Sequence, residues 1–302
     1  MQEFIQQVIN GLTIGSVYAL VALGYTMVYG VLRLINFAHG DLFMVGAYLA
    51  FTLVVSAGLM HVIPWPVLAL VVMFLLVMGF VGITGVAIER VAYRPLRRAS
   101  RLAPVVSALG MSVFLQNAVM LIYGPKYQNF PSSVLPDWSF QLAGVKITLM
   151  RLLILVVSVV LMVGMYLFVQ KTRLGAAMRA VALDHDTSRL MGIDVDRIIT
   201  LVFLIGPALG AAAGVMVGMY YGQIDFTMGW IYGLKAFTAA ILGGIGNIPG
   251  AMVGGFILGL VEALAAGYIS AAWKDVFSFA ILIIILLVRP TGLLGERVAE
   301  KV

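Results

Sequence analysis

Long apolar stretches separated by short polar segments run the length of this chain of 302 residues. About 20 mainly apolar residues are enough to cross a bilayer as an α-helix. Six stretches have about this length, at residues 8–31, 42–58, 66–88, 102–123, 149–169 and 198–221. The pattern predicts an all-α, polytopic integral membrane protein.

Residues 230–288 are apolar again but are interrupted twice, by GGIGNIPG at 243–250 and by AAWKD at 271–275. Pro249 and the neighbouring glycines break a helix, and the freed backbone groups then need partners in the protein or in a water-filled cavity. Such a break occurs beside transport paths, and it occurs equally in tight turns between spans. We therefore expect eight or nine spans, with one or more broken or re-entrant.

Basic residues are distributed unevenly among the connecting segments. Arg33, residues 89–101, residues 171–197 and the tail from Arg289 together hold 14 of the 19 Lys and Arg. Short basic loops remain in the cytoplasm, so these segments and the C-terminus are predicted to lie there. The side of the N-terminus depends on whether LRLINFAHGD, at 32–41, crosses the bilayer or re-enters it.

Composition narrows the range of functions. Hydrophobic residues make up 62% of the chain and charged residues 11%, with a mean hydropathy of +1.07. The chain has no cysteine, and its three histidines lack the spacing of metal ligands, so no metal site is expected. The net charge of +6 is confined to short loops rather than to a basic face with aromatic residues, which argues against nucleic acid. No nucleotide-binding G-x-x-x-x-G-K-[S/T] string and no nucleophile with a base occur, so the chain is not expected to be an enzyme.

Glycine recurs at every fourth position in the last of the six apolar stretches and at the residue that follows it. The members are Gly206, Gly210, Gly214, Gly218 and Gly222, and Gly246, Gly250 and Gly254 repeat the spacing. Small residues four apart lie on one helix face and let two backbones approach closely. They predict helix packing, and sliding or hinging of these faces during transport is the alternative.

Two ionisable residues, Lys235 and Glu262, fall inside the last apolar region. A charge at the centre of a bilayer costs about 2.5 to 3.5 kcal/mol, so each needs a partner, water or a route to the interface. Opposite signs on neighbouring passes predict that the two residues form a pair. The alternative for Lys235 is that its side chain simply reaches the interface.

Polar residues precede the second apolar stretch, in NFAHGD at 36–41. Asp41 is suited to cap the N-terminus of a helix by accepting backbone N–H groups. A proton relay or a substrate contact through His39 or Asp41, with Asn36 beside them, is the alternative.

One long segment rich in charge and helix formers remains, RLGAAMRAVALDHDTSRLMGI at 173–193. Its apolar positions follow helical spacing, Asp184 or Asp186 is suited to cap a second helix, and Gly192 is suited to end it. Asp196 is then suited to cap the following span. The segment predicts two short helices at the cytoplasmic surface, and its mixed charge and alanines favour a protein partner over lipid headgroups.

Six strings in the chain are distinctive. They are NGLTIGSVYALVALGYTMVYGVLRLINFAHGD, IERVAYRPLR, SALGMSVFLQN, MGIDVDRIITLVFLIGPALGAAAGVMVGMYYG, KAFTAAILGGIGNIPGAMVGG and RPTGLLG. With them the chain resembles the permease subunits of bacterial ABC importers for branched-chain amino acids, particularly the smaller, H-type permease. The strings span most of the chain, and the loop at 124–145 matches least.

The resemblance implies a heterodimer with a second, related permease, two cytoplasmic ATPase subunits and an external solute-binding protein, all at a bacterial inner membrane. ATP and Mg²⁺ then belong to the ATPase subunits, and this chain, one transmembrane domain at 1–302, carries no cofactor. A cytoplasmic loop of each such permease docks on an ATPase, and the matching stretch here is the coupling loop, 171–197. Its candidate residues are Arg173, Gly175, Arg179, Ala180, Asp184, Arg189 and Gly192.

The expected mechanism is alternating access, in which closure of the ATPase dimer moves the coupling loop and the glycine-faced spans reorient around a central path. Half-helix ends near 36–41 and 243–250 are suited to the charges of a zwitterionic amino acid. The candidate path residues are Asn36, His39, Asp41, Lys235, Gly243, Gly244, Gly246, Pro249 and Glu262. Two alternatives stay open: the same architecture importing urea, short amides or other amino acids, and a stand-alone channel or facilitator.

Overall fold

The computed structural model describes residues 1–97, 99–100, 102–131, 138–142 and 145–295. Within these ranges the chain forms twelve α-helices: α1 Gln2–Leu32, α2 His39–Phe51, α3 Leu59–Val62, α4 Pro66–Ile88, α5 Leu102–Tyr123, α6 Leu149–Lys171, α7 Arg173–Leu183, α8 His185–Leu190, α9 Val195–Tyr221, α10 Met228–Gly243, α11 Ile248–Tyr268 and α12 Lys274–Val288. Two antiparallel strand pairs join β1 Gln128–Asn129 to β4 Gln223–Ile224, and β2 Ser139–Leu142 to β3 Val145–Thr148.

Three helices carry short irregular turns at one end. α2 continues as a π-helical turn, Thr52–Ser56, and α4 continues as a second one, Glu89–Tyr93, followed by the 3₁₀ turn Arg94–Leu96. A further 3₁₀ turn, Ala271–Trp273, precedes α12.

In the described part of the chain, eight helical segments are long and apolar enough to cross a membrane. They confirm the predicted all-α, polytopic membrane fold. The apolar region at 230–288 contains three helices, of which α10, with 16 residues, is too short to be counted among the eight. This short helix begins inside the protein, as described below.

α1 and α9 form the centre of the bundle. The most apolar window of α1 is 89% buried and that of α9 is 72% buried, against 6% for the span that contains α12. α1 packs against α11 with its backbone in direct contact, because a Cβ on Gly15 would lie 2.9 Å from both Gly255 O and Phe256 Cα. Small residues on membrane helices permit this approach, so the glycines set the spacing of the central helices.

The two ends of the bundle differ in their contacts. The end of α1 lies beside α7 and α8, where Arg33 Nη2 donates to Ala182 O at 3.2 Å and His185 Nε2 lies 2.7 Å from Val31 O. We call this the basic end, and we call the opposite end, where the strands lie, the strand end. α1 therefore runs from the strand end to the basic end.

Residues 33–38 re-enter the bundle instead of crossing it. α1 ends at the basic end, yet α2 begins at His39, whose imidazole lies against Gly24 of α1 and Gly210 of α9. Gly24 precedes Arg33 by nine residues, which is about 14 Å along a helix. α2 then runs to the strand end, where Thr52 Oγ1 and Tyr123 Oη are 2.5 Å apart. The sequence left open whether LRLINFAHGD crosses the bilayer or re-enters it, and in the structure it re-enters.

A second re-entrant segment follows α9. Gly222 ends α9 at the strand end with a left-handed φ of 67°, and its carbonyl accepts from Phe130 N at 2.9 Å. α10 nevertheless begins in the interior, where a Cβ on Gly229 would lie 2.7 Å from Gly40 O. α10 then runs to the basic end, so α2 and α10 start side by side and run to opposite ends.

Candidate functional site

The two re-entrant segments share a sequence pattern. Ile35-Asn36-Phe37 precedes α2 and Ile224-Asp225-Phe226 precedes α10. In each segment the Asn or Asp Oδ1 accepts the backbone N–H two residues further on, from Ala38 at 3.1 Å and from Thr227 at 2.8 Å. An Asx turn of this kind reverses the chain while satisfying a backbone donor, which allows a helix to begin away from water.

Glycines bring the starts of α2 and α10 into contact. Gly40 and Gly229 follow the two Phe residues at the same spacing, and a Cβ on Gly233 would lie 2.9 Å from Gly40 Cα. A side chain at any of these positions would push the two helices apart. Both helices present their N-termini to the interior, and the partial positive charge of a helix N-terminus favours an anionic group.

An apolar groove opens between the first re-entrant segment, α1 and α10. Its lining residues are Tyr25, Ile35, Phe37, Gly229, Trp230, Gly233, Leu234 and Phe237. Ile35 and Phe37 flank Asn36 and form one wall of the groove, so the first Asx turn determines the position of this wall. Trp230 and Leu234 are 50% and 41% exposed, so the groove is open on the α10 side.

The residues predicted near the start of α2 lie behind this groove. Asn36, His39 and Asp41 are all buried, and the His39 ring meets Tyr25 of the groove edge-on, with ring centroids 4.6 Å apart. The cap predicted for Asp41 was wrong, because Asp41 is the third residue of α2 and its Oδ1 accepts from Gln116 Nε2 at 2.9 Å. Asn36 makes the turn instead.

Lys235 and Glu262 form the predicted pair, as part of a larger ion cluster. Lys235 Nζ lies 2.8 Å from Glu262 Oε1 and 2.7 Å from Asp275 Oδ1. Lys274 Nζ lies 3.5 Å from the same Glu262 oxygen, and Tyr18 Oη donates to Glu262 Oε2 at 2.7 Å. Two cations thus balance two carboxylates, which offsets the cost of burying Lys235 and Glu262. The cluster joins α1, α10, α11 and α12, and its side chains do not line the groove.

The GGIGNIPG segment is the turn between α10 and α11, at the basic end. Asn247 Oδ1 caps α11 by accepting from Gly250 N at 2.8 Å. The segment that follows α12 covers this turn, since Leu294 N donates to Gly243 O at 2.9 Å and Asn247 Nδ2 donates to Leu294 O at 2.9 Å. The predicted path residues Gly243, Gly244, Gly246 and Pro249 therefore lie at the end of α10 that is remote from the groove.

The coupling loop forms the two predicted short helices, α7 and α8. Asp184 Oδ1 caps α8 by accepting from Asp186 N at 2.8 Å and from Thr187 N at 2.9 Å. Gly192 follows the end of α8 with a left-handed φ of 82°, as predicted. Asp194 Oδ1 caps α9, so the capping role predicted for Asp196 was wrong.

One side of the coupling loop packs against the rest of the protein, and the other side is exposed. Gly175 packs against the end of α6, where Arg179 also donates to Val169 O, and the Ala180 carbonyl accepts from Asp184 N at 3.2 Å. The exposed side includes three large apolar residues, since Leu183, Leu190 and Met191 are 83%, 87% and 77% exposed. Of the two other candidate residues, Arg173 is exposed, and Arg189 Nη1 lies 3.6 Å from Asp186 Oδ1.

The glycines of α9 face α1, α2 and the strand end. A Cβ on Gly206 would lie 3.3 Å from Gly24 O, and one on Gly210 would lie 3.5 Å from His39 Nε2. Gly214 lies against the Phe43 carbonyl and Gly218 against the Phe130 ring. Gly222, included with them on spacing alone, is instead the residue that ends α9.

Two features of the site were not predicted from the sequence. Asp225 and Gly229 are recognisable once residues 35–40 are aligned with 224–229, because both stretches read I-[N/D]-F-x-x-G. Tyr93, whose Oη donates to Asn36 Oδ1 at 2.8 Å, gives no signal of this kind. As for metals, no three His, Cys, Asp or Glu of the described ranges are grouped so as to hold an ion.

Comparison with known proteins gives consistent matches. The profile of the family described as "Branched-chain amino acid transport system / permease component" matches residues 7–286. The chain is 48% identical to the high-affinity branched-chain amino acid transport system permease protein BraD of Pseudomonas aeruginosa and 47% identical to the permease protein LivH of Escherichia coli K12, with 99% of this chain and 98% of each relative covered. The probable branched-chain amino acid transport permease protein LivH of Methanocaldococcus jannaschii is 31% identical over 91% of this chain and 88% of that protein. No solved structure matches.

Proposed function

Since the chain belongs to the family of permease components of branched-chain amino acid transport systems, we propose that it moves branched-chain amino acids across the bacterial inner membrane, as one permease of an ATP-driven importer that works by alternating access. The observation that carries the proposal is the apolar groove between the first re-entrant segment and α10. A second, related permease, two ATPase subunits and an external solute-binding protein complete the assembly, and membrane lipid surrounds it.

The groove matches the chemistry of an apolar amino acid. Walls formed by Ile35, Phe37 and Phe237 favour a side chain of three or four carbons, whose burial is worth about 1.5 to 3 kcal/mol. A charged or amide side chain would lose its hydration there without gaining a partner. Gly229, the second residue of α10, lines the groove with backbone atoms, and the helix N-terminus there favours the carboxylate of the substrate.

Energy for transport comes from partner subunits, because the sequence contains no nucleotide-binding string. ATP and Mg²⁺ bind those subunits, and the chain itself needs no cofactor. The exposed apolar residues Leu183, Leu190 and Met191 of the coupling loop give an ATPase a surface to grip. The chain acts as one transmembrane domain, 1–302, that carries the coupling loop, 171–197.

The basic end faces the cytoplasm in this proposal, because short basic loops are retained on that side. α1 ends at the basic end, so the N-terminus lies outside. The segment 289–295, bonded to Leu242 and Gly243 at the end of α10, lies on the cytoplasmic side.

Replacing Leu234 with tryptophan tests the groove. The larger ring fills the space that the substrate side chain needs, and losing about 1.4 kcal/mol of binding lowers uptake about tenfold. The variant is assayed by uptake of labelled leucine into proteoliposomes that hold the complete importer. Leu121→Trp is the matched control, because Leu121 is 81% exposed on α5, and it should transport normally. Equal uptake by the two variants would show that the groove is not part of the transport path. In a separate measurement, uptake that survives ATP depletion would favour a facilitator over an ATP-driven importer.

Replacing Asp184 with alanine tests the coupling loop. The change removes both hydrogen bonds that cap α8, and a lost N-cap costs about 1 kcal/mol. We expect weaker co-purification of the ATPase and a several-fold lower rate of uptake, with normal membrane insertion. Asp186→Ala removes an equal charge from a side chain that is 92% exposed and should behave as wild type. Normal transport by Asp184→Ala would reduce the loop to a solvated connector.

A further inference from the structure

Tyr93 connects the first re-entrant segment to α4. Its phenolic Oη donates to Asn36 Oδ1 at 2.8 Å, and the two side chains are 2% and 1% exposed. The same Asn36 oxygen accepts from Ala38 N, so one atom both makes the turn and receives the bond from α4. Because Ile35 and Phe37 flank Asn36 and line the groove, a movement of Tyr93 is passed to the groove wall.

The second re-entrant segment shows what the turn requires by itself. Asp225 Oδ1 accepts from Thr227 N at 2.8 Å and from Thr227 Oγ1 at 2.5 Å, so both donors belong to its own segment. Among the described residues, this I-[N/D]-F turn therefore forms without a bond from another helix. The first turn therefore does not need the Tyr93 hydrogen bond in order to form. The presence of this bond calls for an explanation other than the folding of the turn.

The segment that holds Tyr93 is anchored to the start of α9. Glu89 is fully buried in the same π-helical turn, Glu89–Tyr93, and forms an ion pair with Arg97. Arg97 Nη1 in turn lies 2.6 Å from Asp196 Oδ1, and Asp196 is the second residue of α9. The Tyr93 ring also packs on Phe203 of α9, with ring centroids 5.2 Å apart. Single π-helical turns are rare and are frequent at functional sites.

We propose that Tyr93 is a positioning residue that passes movement of the coupling loop, through the start of α9, to the groove wall at Ile35 and Phe37. The Tyr93–Asn36 hydrogen bond is the final link, because α9 begins within the last three residues of the coupling loop and contacts both Arg97 and the Tyr93 ring. The inference rests on the proposed function, since the coupling loop moves only if an ATPase drives it. Removing the phenolic oxygen leaves the turn folded and disconnects the wall.

Thiol labelling in the assembled importer measures this link directly. The chain has no cysteine, so Phe37→Cys introduces one thiol at the groove wall. Its rate of reaction with a maleimide, read on the separated band of this chain, is compared without nucleotide and with ATP and vanadate. We expect the two rates to differ several-fold in Phe37→Cys and to become equal when Tyr93→Phe is added.

Tyr123→Phe is the matched control. It removes the same atom from a tyrosine that bonds the opposite end of α2, with Tyr123 Oη 2.5 Å from Thr52 Oγ1. The labelling difference should survive this change. A merely structural role for Tyr93 would lower the melting temperature of the complex and leave the difference in place.

The outcomes separate the two proposals. A labelling difference that persists in the Tyr93→Phe background overturns the proposed role of the Tyr93–Asn36 hydrogen bond. The proposed coupling of this chain to an ATPase is unaffected by that result. Equal rates with and without nucleotide in a Phe37→Cys importer that retains ATP-dependent uptake also overturn the link, because the wall then does not move with nucleotide. Absence of ATP-dependent uptake by the wild-type importer overturns the proposed function itself.

Discussion

Replacing Lys235 with methionine is expected to lower the free energy of unfolding by about 3 to 5 kcal/mol. The Lys235 side chain is 6% exposed, and its Nζ lies 2.8 Å from Glu262 Oε1 and 2.7 Å from Asp275 Oδ1. Without it, Glu262, whose side chain is 9% exposed, keeps the hydrogen bond from Tyr18 and the more distant cation of Lys274, at 3.5 Å. A carboxylate that is buried among apolar helices without a close cation is costly, so the loss far exceeds that of a surface ion pair.

Denaturation in detergent micelles, followed by circular dichroism, measures this loss. Lys274→Met removes the other cation of the cluster, whose side chain is 38% exposed, and should cost no more than about 1 kcal/mol. The double variant Lys235→Met with Glu262→Gln removes both buried charges and should recover part of the stability. A Lys235→Met protein as stable as Lys274→Met would show that the cluster is hydrated and not needed for packing.

Replacing Gly15 with valine should destabilise the protein by about 3 kcal/mol, at the upper end of the usual cost of overpacking. A Cβ on Gly15 would lie 2.9 Å from Gly255 O and Phe256 Cα, both of which are backbone atoms of α11. Backbone cannot move aside as the end of a side chain can, so α1 and α11 must separate. Because membrane helices associate through close packing, the separation removes contacts along the whole interface.

Gly164→Val is the matched control, since a Cβ on Gly164 in α6 meets nothing within 4 Å. It should fold as wild type, because replacing glycine within a helix carries no intrinsic penalty. Unfolding midpoints and the yield of folded protein from membranes distinguish the two variants. Equal stability of Gly15→Val and Gly164→Val would mean that α1 and α11 tolerate a wider spacing.

The membrane spans were predictable because they depend on one requirement, a long enough run of consecutive apolar residues, which can be read directly from the sequence. α4, Pro66–Ile88, and α5, Leu102–Tyr123, have the predicted boundaries. The pairing of Lys235 with Glu262 was predictable for a related reason, since two buried charges of opposite sign need each other. In both cases the free-energy cost of the other arrangement, an apolar stretch in water or an unpaired charge in the membrane, is large enough to exclude it.

The interior starts of α2 and α10 were not predictable from apolar length. A hydropathy window reads residues 36–41 as the polar edge of a span, and only packing against Gly24 and Gly210 shows that His39 lies inside. Asp41 was predicted to accept a backbone N–H at the start of α2, and Asn36 accepts one instead, in the turn before the helix. Both side chains are good acceptors, and the choice depends on where the helix begins. Tyr93 and Asn36 are 57 residues apart, and no periodicity links them.

The contact between α1 and α11 also bears on the order in which the chain is made. The two helices share more contact than any other pair within the described ranges, yet more than 200 residues separate them in sequence. During synthesis, α1 leaves the ribosome before α11 and must wait in the membrane for this main neighbour while more than 200 further residues are made. Contacts between distant parts of a chain close late. A nascent chain that stalls before α11 therefore lacks its central interface, and the quality-control proteases of the membrane would meet it as an unfinished substrate.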